Sequence, residues 1–201
     1  MNEASAIPSI LEKLKRSNPS NSAGAYLVAQ DAVSGFADIV DRLAIWNQSF
    51  QASSEHPLSW YREVDGEMHL WFSNITTATC LTYLWAFWII CVSRIRQFRA
   101  DFPSLREYEV GIHGQVPENA YILQEVIQLS IWILGSVQFF MKDEMKLFGV
   151  SSVSFPLHTA LEVLNTVNDS SVATCSKSYQ NIIERFTRRG YQDIFMSWGA
   201  A

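Results

Sequence analysis

Few side chains in this sequence are of a type that could move a proton, and they are scattered. Glu125 is the one charge in the apolar stretch from Ile122 to Val137. A carboxyl in such surroundings is a candidate general acid or base, although at the edge of a helix it reads more plainly as solvated. His113 and His158 are the histidines that would join it in acid/base work. His56 and His69 fall in a single loop with no carboxylate or cysteine at ligand spacing, which marks them as surface or interface histidines. Asp31, Asp38 and Asp41 share a helical stretch with Arg42 but lack the tight pairing that metal-diphosphate chemistry needs, so they read as a solvated face.

The cysteines point the same way. Cys80, Cys91 and Cys175 cannot supply a four-ligand zinc site, and none stands in a Cys-x-x-Cys pair. On one helix, Cys80 and Cys91 would lie about 16 Å apart along the axis, too far for a disulfide, so they read as reduced core thiols. The sequence shows no glycine-rich phosphate loop, no metalloprotease helix motif and no nucleophile elbow. No cofactor and no metal is expected.

The elements that would position these residues are helical. Of the 201 residues, 48% are hydrophobic and 13% aromatic, enough for a core. A net charge of −5 with 15 Lys and Arg argues against a duplex-binding surface, which needs a dense cationic field. Residues 1–23 read as a flexible leader with a turn of helix near Ile10 to Leu14 and little packing, and residues 24–201 as a single helical domain. From Ala25 to Gln51, Ala29, Val33, Phe36, Val40, Leu43 and Phe50 recur at three- and four-residue steps, the signature of an amphipathic helix. Residues 52–69 read as a loop, and no strand pairing is expected.

The stretch that organises the chain is LWFSNITTATCLTYLWAFWIICVSRIRQFR, residues 70–99. It carries no formal charge until Arg94, Arg96 and Arg99, and it is long enough to cross a bilayer, which takes about 20 apolar residues. Its first half is polar, with Ser73 or Asn74 placed to cap a helix, so burial in a bundle is favoured over a membrane span. A second loop at 101–117 leads to a helix expected over 118–148, with Gly149 as its C-terminal cap and Gly135 and Ser136 marking a bend or a close approach. A further helix is expected near Ser154 with Pro156 in its first turn, and a last one from about 169 to Gly190. The fold class is therefore all-α, an irregular bundle of about five main helices around a central aromatic-rich one.

Four short motifs stand in order along this pattern. They are Leu84 to Phe87 (Leu-Trp-Ala-Phe), Met145 to Gly149 (Met-Lys-Leu-Phe-Gly), Phe155 to Leu157 (Phe-Pro-Leu) and Arg189 to Tyr191 (Arg-Gly-Tyr). With them, the chain from about 25 to 195 resembles the carboxy-terminal part of the helical regulatory region of fungal zinc binuclear-cluster transcription factors. Members of that family bind DNA through six cysteines holding two zinc ions, followed by a basic linker, and this chain has neither. The resemblance implies a regulatory or interaction module in the nucleus or cytoplasm of a fungal cell, tied to a secondary-metabolite gene cluster and without direct specific DNA binding. It transfers no catalytic or ligand residue.

The expected partner is a protein or a second copy of the chain, docked on an interaction face of Val33, Phe36, Val40 and Leu43, with an apolar small molecule as effector. The alternative is a small helical enzyme holding an apolar metabolite between aromatic helices, with Glu125, His113 and His158 as its acid/base set. A helical membrane protein is the third reading.

Overall fold

The computed structural model describes residues 3–16, 22–64, 66–107 and 119–166, together with Glu184 and Arg188. His113, Cys175, the expected last helix and the Arg-Gly-Tyr motif lie outside the described residues, except that Glu184 and Arg188 are helical and joined by an ion pair at 3.3 Å. The fold is all-α in character, with five helices and one small hairpin among the described residues: α1 (Ile7–Arg16), α2 (Ser22–Ala52), β1 (Ser59–Val64), β2 (Glu67–Phe72), α3 (Ile75–Asp101), α4 (Asn119–Phe140) and α5 (Lys146–Thr166). By its contacts the chain divides into two compact units, residues 1–55 with 87–126 and residues 56–86 with 127–201, and the division falls inside α3 and α4.

In the first unit the leader is a packed element. A 3-10 turn at Glu3–Ala6 runs into α1, Ala4 and Ile7 are buried, and the small Gly35 of α2 leaves room for the Ile10 side chain. The pattern ILEKLKR places apolar Ile10, Leu11 and Leu14 at helical spacing, which gives α1 a face to bury despite its charge. The long helix α2 follows its expected stripe, with Ala29, Val33, Phe36, Val40 and Leu43 all buried. At the far end of α3, Arg94 and Arg96 are exposed and the Arg94 Nη1 donates to Gln97 Oε1 at 2.9 Å, while Arg99 turns inward.

The second unit corrects several expectations. Residues 59–72 are an antiparallel hairpin, with Val64 opposite Glu67, so that only residues 65 and 66 lie between the strands. Asp-Gly at that position is the strongest short hairpin signal, and Gly66 takes the positive φ (80°) such a turn requires. The expected helix over 118–148 stops at Phe140. A 3-10 turn at Asp143–Met145 and a left-handed Lys146 (φ 44°) then redirect the chain, and α5 starts at Lys146 instead of near Ser154. Gly149 is no cap: it lies inside α5, buried against the end of α4, and Pro156 lies well inside that helix.

Asn74 caps α3 as its sequence implies, its Oδ1 accepting from the Thr77 backbone N–H at 2.8 Å. Gly135 does mark a close approach, but to Leu70 of β2, at 3.8 Å from where a Cβ would sit, and Ser136 satisfies itself on the Ile133 carbonyl at 2.6 Å. The core of this unit is aromatic. Phe72 meets Trp85, Phe139 and Phe140, Trp85 meets Trp132 at 5.4 Å, and Tyr83 meets Phe155 at 5.4 Å. Such pairs add about 0.5–1.5 kcal/mol each beyond their buried area.

Candidate functional site

Among the described residues, no group of three or more His, Cys, Asp and Glu could hold a metal ion. The candidate acid/base residues do not form a described site. Glu125 belongs to the first unit, on α4, and His158 to the second, on α5, with His113 outside the described residues. Desolvation by neighbouring atoms pushes the Glu125 carboxyl above its ordinary pKa, and the Trp88 indole N–H works against that rise. The Glu125 residue nonetheless keeps much of its surface in solvent, and the Trp88 Nε1 finds no partner at hydrogen-bond distance and angle, so this is a loose contact at a helix edge. Burial pushes the Cys91 thiol up to about 12 and raises that of Cys80, which makes both poor nucleophiles.

The expected interaction face on α2 is also corrected. Val33, Phe36, Val40 and Leu43 are each at most 5% exposed. An apolar stripe at helical spacing reads the same whether a partner or the chain itself covers it, and here the chain does.

Two large hydrophobic residues stand in solvent on other faces of α2, Leu27 and Ile45, and in the second unit Trp60, Tyr61 and Met68 of the hairpin and Leu147 (55%) and Phe148 (65%) of the first turn of α5 are exposed. Leu70 and Phe72 of the hairpin are buried, while Tyr61, opposite Leu70, and Met68, nearer the turn, stand exposed on that same face and Trp60, opposite Trp71, on the other. The α4–α5 turn is fastened to the hairpin through Trp71. The Lys142 Nζ lies 4.4 Å from the Trp71 ring centroid and 4.5 Å from that of Phe139, and the Arg62 guanidinium carbon lies 4.6 Å from the same Trp71 ring. Lys142 also reaches Glu144 Oε1 at 3.4 Å, and His69 Nε2 stands 3.7 Å from Glu67 Oε2, so each of these two basic groups has an acidic neighbour.

Trp60 and Arg62 thus share the Trp71 face of the hairpin with Lys142, close in sequence to the exposed Leu147 and Phe148, while Tyr61 and Met68 stand on the opposite face. Aromatic residues, Met and Arg are enriched in protein–protein interfaces. None of these residues is a catalytic type in a catalytic arrangement. The sequence signal for them was the Asp-Gly step between two six-residue aromatic runs, together with the Met-Lys-Leu-Phe-Gly motif, in which Gly149 packs inward and Leu147 and Phe148 point outward.

Three helical segments, Ile75–Asp101, Leu123–Phe140 and Asp143–Asn165, are long and apolar enough to cross a membrane by length and composition. The first two place no large hydrophobic residue in solvent. Their exposed positions include Thr76, Arg94, Arg96 and Gln97 on α3 and Gln124, Glu125 and Gln128 on α4. Compared with known proteins, the chain matches no family model, no curated protein and no solved structure.

Proposed function

We propose that this chain is a non-enzymatic, transcription-regulator-like interaction module that does not itself bind specific DNA, of the kind tied to fungal secondary-metabolite gene clusters. It works by docking a protein partner, or a second copy of itself, on the Trp60 and Arg62 face of the hairpin together with the first turn of α5. The observation that carries this reading is the outward display of Leu147 and Phe148. They stand in one of the motifs that give the chain its family resemblance, on a turn fixed by the left-handed Lys146 and by Gly149 against α4. Large apolar side chains held rigidly in solvent mark a contact site.

A place in the nucleus or cytoplasm is supported by the polar exposed positions of α3 and α4, since a helix in lipid would turn its apolar side chains outward. The enzymatic alternative has the raised Glu125 pKa in its favour, but the described residues of that unit include no histidine to work with it.

The test joins two measurements on the purified chain. Gel-shift titration at physiological salt is expected to show no sequence-specific retardation. Light scattering and partner titration with Trp60→Asp/Phe148→Asp are expected to show loss of association with the fold intact. Specific nanomolar DNA binding, or association untouched by the double variant, would contradict the reading.

A further inference from the structure

The three arginines that end α3 are not equivalent. Arg99 is 5% exposed, its Nε is buried with no hydrogen-bond partner, and among the described residues no charged group offsets its desolvation. It lies one turn beyond buried Ile95 and two beyond Val92, and it is followed one turn later by Phe102, whose ring meets Tyr26 of α2 edge-on at 6.4 Å. The neighbouring Leu105 is fully buried. Its place in the last turn of α3 lets the helix dipole compensate only part of the charge. An arginine whose Nε is buried without a partner, and beside which no acid stands among the described residues, is a costly arrangement, and one that an anion paired with the rest of the guanidinium would relieve.

We infer that Arg99 anchors a binding site for a small organic acid, whose carboxylate pairs with the guanidinium and whose apolar body lies along the Val92, Ile95 and Phe102 side of α3. Three features choose that class. The planar fork of an arginine matches a carboxylate in two parallel hydrogen bonds. One guanidinium neutralises one negative charge, whereas a phosphate monoester would bring about 1.5 to 2 negative charges and leave the excess buried. The surroundings are aliphatic and aromatic, and Tyr26 brings a phenol hydroxyl to the same end of α3. This site lies in the first unit and stands independently of the contact surface proposed above, which belongs wholly to the second.

The experiment is a thermal melt of the full chain in chloride buffer, titrated separately with benzoate, acetate and inorganic phosphate, for wild type and Arg99→Met. Benzoate is expected to raise the wild-type Tm saturably, by about 3–6 °C at ten times its Kd, with acetate and phosphate weaker. Arg99→Met is expected to melt at or above wild type without additive, because the uncompensated charge is gone, and to be insensitive to benzoate. The inference is overturned if no anion moves the wild type, if phosphate matches benzoate, or if benzoate shifts the variant equally. It is also overturned if Arg99→Met melts well below wild type or fails to fold, because the guanidinium would then already serve a structural role.

Discussion

A Cβ on Gly149 would run into the backbone carbonyl oxygen of Phe140. The end of α4 and the first turn of α5 therefore touch backbone to backbone, and the identity of residue 149 is set by space, not by a positive φ. Gly149→Ala is expected to destabilise the chain by about 1–3 kcal/mol, as overpacking does. Gly149→Asn, which a true helix C-cap would tolerate, is expected to be worse. Urea denaturation of the two variants checks the order, and Asn at least as stable as Ala would restore the cap.

The Lys142 contact with Trp71 is the link between the turn and the hairpin. Its coupling, read from a double-mutant cycle of Lys142→Met and Trp71→Leu, is expected to be about 0.5–1 kcal/mol and to change little with salt, since the ring quadrupole is not a mobile counterion. A coupling near zero would mean that the turn is held by Gly149 alone.

Asn74 gives a control on local structure. Removing its acceptor in Asn74→Ala is expected to cost about 1 kcal/mol, whereas Asn74→Asp or Asn74→Ser should retain most of the stability. Thermal melts decide it.

Burial holds the Cys91 thiol at about 12, against an ordinary value of 9.0. The folded chain keeps that proton where the unfolded chain gives it up, so stability that is fully present below pH 9 is lost as pH rises toward 12. Half-buried Tyr83 and Cys80, raised by the same cause, act in the same direction. Urea midpoints at about pH 8 and about pH 10 are expected to show the fall, and Cys91→Ala to make it shallower. An unchanged slope in Cys91→Ala would place the effect elsewhere.

How much of this was legible in the sequence differs by element. The periods of α2 and α3 are strong, and the Asn74 cap follows from its place before Ile75. The hairpin was hidden because both of its faces carry aromatic residues, so Trp60, Tyr61, Trp71 and Phe72 do not alternate with polar ones; only Asp65 and Gly66 announced it. The break after Phe140 was hidden for a different reason. Lys142, Asp143, Glu144 and Lys146 are all acceptable helix formers or helix-end residues, and what turns the chain is a left-handed lysine, which no residue preference signals. The contact surface escaped for the same two reasons, since it is built from that hairpin and that turn. The α2 stripe was placed correctly as a face, but periodicity does not say what covers it.

The docking surface, the Trp60 face of the hairpin with the Leu147–Phe148 turn, is proposed to act on transcription through a partner. The most direct measurement fuses the chain to an unrelated DNA-binding domain and follows a reporter gene in a fungal cell. The wild-type fusion is expected to change reporter output, and the Trp60→Asp/Phe148→Asp fusion to lose that effect at equal protein level and equal Tm. A wild-type fusion without effect, or a double variant as active as wild type, would contradict the account.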